Sequence, residues 1–254
     1  YHLPCPLCSS SDAVSVNADN SAYCFSCQEF IKEYDMELQP TITQSKNEYE
    51  VKDFMKESNY AEIIDRNISE DTCKKFGVTV KMDSMGTITN HYYPYHDTQG
   101  AKIATKTRYT KLKEFSIQGN TKDSGLFGQH LFSKNKYCII TEGELDALSA
   151  YQMMLKGNYH TPVVSIKNGI SSAVKDIKNS LEWLENNFDN VIVNFDNDEH
   201  GIDGAMKVAE LFSPGKCKIM HLPEGFKDAS DCLTKNKIQI YNKTFWDAKV
   251  FAPD

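Results

Sequence analysis

Tyr137-Cys138-Ile139-Ile140-Thr141-Glu142-Gly143-Glu144-Leu145-Asp146-Ala147-Leu148 is the stretch from which the fold can be read. Its first five residues form a short apolar run of the kind that becomes a buried strand. Leu145 and Leu148 then recur at helical spacing, with Leu155 further along the same expected helix face. The switch from strand to helix repeats downstream. Val163-Val164-Ser165-Ile166 precedes a helical stretch carrying Val174, Ile177, Leu181, Leu184 and Phe188. Val191 to Phe195 leads into a third helix with Ala205, Val208, Ala209 and Phe212, and Cys217 to Leu222 closes the series. Short buried-type strands alternating with amphipathic helices predict an α/β fold: βαβ units on a parallel sheet covered by helices on both faces. Ligands of such sheets bind beyond the carboxyl ends of the strands.

Acids stand at those ends. Glu142-Gly143-Glu144 and Asp146 follow the first strand, Asp196-Asn197-Asp198 follows another, and Asp228 follows the Cys217–Leu222 strand. If the strand ends are neighbours, Glu142, Asp196, Asp198 and Asp228 converge in one crevice. Carboxylates so crowded repel one another unless a divalent cation neutralises them. An all-oxygen donor set selects a hard ion, magnesium or manganese, shared with substrate phosphates. The chemistry this serves is phosphoryl or nucleotidyl transfer. The competing reading places each acid at a helix N-terminus, where the macrodipole rewards it by about 0.3–1 kcal/mol. Gly143 lets the backbone approach a phosphate.

Working outward, residues 60–76 are predicted helical, with Ser69 capping a helix that begins near Glu70. Residues 78–118 read as strands broken at Gly86 and Gly100, with Tyr92, Tyr93 and Tyr95 as sheet packing rather than base-stacking groups. Within them, Lys102 to Lys113 carries five cations and no acid. Lys106, Arg108 and Tyr109 suit a phosphate or single-strand track; the competing reading is a solvated strand face. If Lys102, Lys106, Arg108, Lys111 and Lys113 all meet phosphates, single-strand affinity falls with a log–log salt slope of about −3.5. The Lys167-Asn168-Gly169 loop is a weaker phosphate candidate.

Near the start, Cys5-x-x-Cys8, a gap of 15 residues and Cys24-x-x-Cys27 match the spacing of a four-thiolate zinc site. So short a segment buries too little apolar surface to fold alone, and zinc ligation contributes on the order of 10–16 kcal/mol. Reduced cysteines or disulfides are the alternative. The remaining four cysteines are scattered, which favours a reduced, intracellular chain. The domain reading is a zinc-binding ribbon over 1–34, a linker over 35–48, an N-terminal α+β subdomain over 49–135, and a catalytic subdomain with a C-terminal segment over 136–254.

The chain has 254 residues with 28 cationic and 35 acidic side chains, a formal charge of −7. That argues against coating duplex DNA by bulk attraction, while leaving room for a local track, since distant charges are screened. No apolar run reaches the roughly 18 residues a membrane span needs, and no secretion signal stands at the start. The missing initiator Met and the abrupt end read as a fragment of a longer chain.

Together these stretches resemble a known family: primases with a TOPRIM catalytic fold, and within them the primase half of the bifunctional primase–helicases of short-tailed bacteriophages. The matching stretches are Tyr1 to Cys5, Leu126-Phe127-Gly128-Gln129-His130-Leu131, Thr141 to Leu148, Phe195 to Gly201 and Lys227-Asp228-Ala229. The resemblance implies a DNA-directed RNA polymerase that makes short RNA primers from ribonucleoside triphosphates on single-stranded DNA. It implies magnesium on Glu142, Asp196, Asp198 and Asp228, with Glu144 and Asp146 in support. Lys106, Arg108 and Lys113 would face template or nucleotide, with Lys111 the alternative to Lys113 in register. A structural zinc ribbon would help choose the template trinucleotide and hold the RNA for a replicative DNA polymerase. The helicase would lie in the same full-length chain, since no Gly-x-x-x-x-Gly-Lys-Ser/Thr loop occurs here. A host-cytoplasmic location follows from the same resemblance. One departure is Ser21, where the phage proteins carry a His. The rival readings are a nuclease or topoisomerase on the same fold, and a non-catalytic single-strand DNA-binding and loading module of a helicase.

Overall fold

The computed structural model of the chain describes residues 3, 5, 14–17, 19–25, 29–34 and 58–252. The expected linker, Cys8 and Cys27 lie outside the described residues. The chain divides into two units, residues 1–56 and residues 57–254.

In the first unit, β1 (Val14–Val16), β2 (Ala22–Cys24) and β3 (Phe30–Ile31) form an antiparallel sheet in that order. Among the described residues its buried apolar cluster is Cys5, Val14, Ala22, Cys24 and Tyr34. Ser21 is buried in the turn before β2. Its hydroxyl donates to Asp19 Oδ1 at 2.6 Å and accepts from Asn17 Nδ2 at 2.9 Å, so it stiffens that turn.

The second unit begins with a departure from the expected helix over 60–76. Only Glu70–Phe76 is α-helical (α1); before it Ile64–Arg66 makes a single 3-10 turn. Asn67 takes a left-handed φ of 54°, and Ile63 and Ile68 exchange backbone hydrogen bonds of 2.9 and 3.2 Å. The Ile periodicity therefore reports burial of both ends of a closed loop. Ser69 caps α1 through Thr72 N–H, as expected, and Gly77 ends it at φ 70°.

Four antiparallel strands follow in sequential order: β4 (Thr79–Met82), β5 (Ile88–His96), β6 (Lys102–Tyr109) and β7 (Glu114–Gly119). Tyr92, Tyr93 and Tyr95 are buried, consistent with sheet packing. Tyr95 and Phe76 both pack on Phe127, at ring separations of 5.8 and 5.5 Å. Phe127 in turn bridges by backbone hydrogen bonds to Ser165, which ties this region to the second sheet.

That second sheet has the order β12-β11-β10-β8-β9. Its strands are β8 (Asn135–Thr141), β9 (Val163–Ser165), β10 (Phe188–Asn194), β11 (Cys217–Ile219) and β12 (Lys249–Val250). All neighbours are parallel except β12, an antiparallel edge strand the sequence reading did not contain. Cys138 to Thr141 and Val191 to Asn194 are buried throughout, as strands covered on both faces must be. The crossovers are α2 (Glu144–Met153), α3 (Ala173–Asn187) and α4 (Glu199–Ala209), followed by α5 (Ala229–Thr234) and α6 (Ile238–Asp247). Leu155 lies beyond the end of α2 and is 42% exposed, so it does not extend the buried face expected of it. Phe188 opens β10 and does not close α3.

Candidate active site

The order of the second sheet decides what the acids do. β8, β10 and β11 are adjacent, and their register sets Thr141 beside Asn194 and Val193 beside Ile219. Glu142 and Asp196 therefore leave the sheet side by side, and the loop after β11 returns to them through an Asn197 N–H bond of 2.7 Å to Lys227 O, bringing Asp228 alongside. Together with Asp146 they line a cavity of about 810 Å3. Gly143 sits at its rim as the N-cap of α2; a Cβ there would stand 3.1 Å from Asp146 Oδ2.

Negative charge in the cavity is in excess. Burial, and then Asp196 beside it, push the Glu142 carboxyl above the usual carboxylate range, although it accepts backbone N–H bonds from Ile170 and Asp196. Burial and Asp228 push Asp146 well up, while Asp146 Oδ1 accepts Ser230 N–H at 3.0 Å. Asp196 is raised by burial against the pull of Lys227, whose ammonium lies 2.8 Å from Asp196 Oδ2. A protein cation already sits where negative charge is densest.

Two of the acids also follow the helix-terminus reading. Asp198 Oδ1 caps α4 by accepting Gly201 N–H at 2.9 Å, and the residue does not line the cavity. Asp228 Oδ1 caps α5 by accepting Asp231 N–H at 2.7 Å, yet Asp228 does line it. Each keeps a second carboxylate oxygen free of that bond. Among the described residues no three His, Cys, Asp or Glu side chains are arranged as a ready metal cage. Gly201 fixes the start of α4: a Cβ there would lie 2.1 Å from Asp196 O, so only glycine allows this approach.

Glu144 does not join the other acids as a free carboxylate. It is buried, its Oε1 taking Lys106 Nζ at 2.8 Å and Tyr95 O–H at 2.6 Å. Burial beside Glu144 keeps the Tyr95 hydroxyl protonated, so it donates. Lys106 also donates to Lys167 O at 2.8 Å. This knot joins the antiparallel sheet to the N-terminus of α2.

The basic stretch lines the cavity only in part. Lys106 and Arg108 line the cavity; Lys102 does not, and Lys111 and Lys113 stand exposed in the β6–β7 turn, also outside its lining. Lys113 takes a left-handed φ of 57° there. Tyr109 alternates to the face opposite Arg108, where its hydroxyl lies 3.2 Å from Ser116 Oγ, and does not line the cavity. Lys167 is buried and donates to the carbonyls of Thr121 and Ser124, each at 3.0 Å. Its ammonium is therefore committed to a loop, leaving Asn168 and Gly169 as that segment's share of the cavity.

Cavity residues that the sequence reading missed are Arg66, Tyr93, Phe115, Ile117, Lys227 and Ser230. Lys227 was legible as the neighbour of Asp228; Arg66 was hidden by the expected continuous helix.

Fold and site resemble a Toprim-like unit preceded by an α+β unit of the kind found in phage helicase/primases. The Toprim-like family matches residues 139–233, and the N-terminal a+b fold of the bacteriophage T7 DNA helicase/primase matches residues 58–119. Along its length the chain is similar to the primase part of phage DNA helicase/primases. It is 30% identical over 264 residues to the DNA helicase/primase of Enterobacteria phage T3, covering 100% of this chain and 44% of that protein. The chain thus spans less than half the length of that relative. The crystal structure of the primase fragment of the bacteriophage T7 primase-helicase is 28% identical with a TM-score of 0.67, covering 97% of this chain and 99% of that one. A chain from the T7 lagging-strand DNA polymerase interacting with primase domains of two gp4 subunits bound to an RNA/DNA hybrid and dTTP is 29% identical with a TM-score of 0.67. It covers 76% of this chain and 94% of that one.

Proposed function

We propose that this chain is a DNA primase, a DNA-directed RNA polymerase that joins ribonucleoside triphosphates into short primers on single-stranded DNA during replication. The observation that carries the reading is the arrival of Glu142, Asp196 and Asp228 at one cavity from the segments that follow three adjacent strands, with Lys106 and Arg108 lining the same cavity. Homology to phage helicase/primases supports it.

The donor set fits a hard divalent ion: oxygen ligands only, carboxyls held above their usual range by burial and mutual repulsion, and spare oxygens on the two capping acids. Glu142, Asp196 and Asp228 would hold magnesium or manganese, with Asp198 at the rim and Asp146 in support. Bound there, such an ion would supply charge neutralisation for a triphosphate and Lewis-acid assistance to attack at its α-phosphate. The chain's own groups do the positioning. Glu144 and Tyr95 lock Lys106, Arg108 offers a planar cation to phosphate, and Gly143 leaves space for phosphate at the start of α2. For zinc, Cys5 and Cys24 are both buried in the small apolar cluster of the described residues, with Val14, Ala22 and Tyr34. Cys5, Cys8, Cys24 and Cys27 would hold a structural zinc.

Primer hand-off to a replicative DNA polymerase, a helicase in the same full-length protein and a place in the host cytoplasm complete the reading. Among the described residues no helix is long and apolar enough to cross a membrane. The test is incubation with labelled ribonucleotides, magnesium and a panel of single-stranded templates. Discrete, template-dependent short RNAs are expected. Template bound without RNA product would favour the loading module, and template cleavage would favour the nuclease.

A further inference from the structure

The wall of the cavity opposite the acids has a pattern of its own. In the β6–β7 register, Lys106 is paired with Ile117 and Arg108 with Phe115. Directly opposed residues of antiparallel strands project to the same face, and so do residues two apart on one strand. The four side chains therefore form a two-by-two patch, a row of two cations on β6 beside a row of two apolar groups on β7. All four line the cavity. Phe115 and Ile117 are 53% and 45% exposed, although large apolar side chains at such a position gain nothing from the core. Lys106 Nζ lies 4.8 Å from the Phe115 ring centroid, so the cation that Glu144 locks also steadies the ring.

We infer that Phe115 and Ile117 form a platform on which bases of the single-stranded DNA template stack, with Arg108 taking the adjoining phosphate. The inference rests on the template reading above and names the groups that carry it. Two features commit the platform to a strand. Cations flanking exposed apolar groups complement a chain of phosphates alternating with bases, which is the chemistry of single-strand grooves. The pattern also runs on: Lys111, Leu112 and Lys113 are exposed at the hairpin tip, four residues or about 14 Å from Ile117, beyond the reach of a single nucleotide.

The test uses the whole 254-residue chain without ribonucleotides or magnesium, so it is independent of catalysis. Phe115→Trp places a fluorophore on the platform; the native Trp183 and Trp246 do not line this cavity. A short oligothymidylate is expected to quench the new fluorescence, and an abasic strand of equal length is not. Phe115→Ala is expected to weaken oligothymidylate binding at least about fivefold with an unchanged melting temperature. Equal quenching by the abasic strand, binding without quenching, or wild-type affinity in Phe115→Ala would each overturn the platform. RNA synthesis by the wild-type chain in the same preparation separates that failure from failure of the primase reading.

Discussion

On one side of the cavity, Glu142 and Asp196 sit just past the ends of β8 and β10, and Asp228 at the end of the loop that follows β11, each next to the start of a helix. On the other, Lys106, Arg108, Phe115 and Ile117 sit within two antiparallel strands, projecting from one face of a hairpin. The first wall is a set of chain ends brought together by sheet order; its acids crowd, desolvate one another and lie beside the Lys227 ammonium. The second is a regular surface whose one deeply buried charge, Lys106, is paired. Divergent chain ends concentrate charge and suit an ion and a triphosphate; a flat two-by-two face suits a polymer that must slide.

The contrast breaks most sharply if the two walls prove interchangeable. Glu142→Gln and Asp196→Asn are each expected to lower RNA synthesis about 10³-fold while leaving oligonucleotide affinity close to wild type. Loss of template binding in parallel with synthesis would merge the walls into one function. Next in size is the knot that joins them. Lys106→Ala leaves Glu144 a buried carboxylate with the Tyr95 hydroxyl but no cation, and should cost about 3 kcal/mol in denaturant unfolding. Adding Glu144→Gln should recover much of that, and a double mutant no more stable than Lys106→Ala would contradict the pairing.

A smaller effect sharpens the antiparallel side. His91 is buried directly across from Arg108, faces Asp65, Arg66 and the Tyr93 hydroxyl, and has its pKa pushed down to about 4 from 6.5, chiefly by burial and then by Arg108. Its folded value lies below its unfolded one, so the unfolded chain takes the proton first. The stability it contributes is full above about pH 6.5 and is lost as the pH falls towards 4, by up to about 3 kcal/mol. His91→Phe should flatten the unfolding free energy over that window. An unchanged slope would show that His91 titrates normally. The smallest effect concerns the hairpin tip. Lys111→Ala with Lys113→Ala should reduce the salt slope of single-strand binding by at most about 1.4 and leave synthesis largely intact. A larger fall would move the track from the cavity to the tip.

The two walls also differ in how readily the chain discloses them. The acids were legible because a strand end, a Gly or Asp and a helix start are consecutive in sequence. That local order put Glu142 and Asp196 just past β8 and β10, whereas Asp228 stands nine residues beyond β11 at the start of α5, and the adjacency of β8, β10 and β11 is a property of the folded sheet. It also could not divide Asp198, turned to capping, from Asp228, which both caps and lines. The opposite wall depends on register. Which apolar group faces Lys106 or Arg108 is set by the turn at Lys113, and a slip of one residue would send Phe115 and Ile117 to the other face. Arg66 was lost for a related reason: helical spacing of isoleucines describes equally well a loop closed between Ile63 and Ile68.

A titration of Mn2+ followed by its electron paramagnetic resonance signal addresses the acid wall directly. The wild-type chain should take up the ion, and Glu142→Gln and Asp196→Asn should each weaken uptake about tenfold or more, because acids from neighbouring strands share one site. Uptake equal in the wild type and both variants would mean that those carboxylates do not meet around a cation.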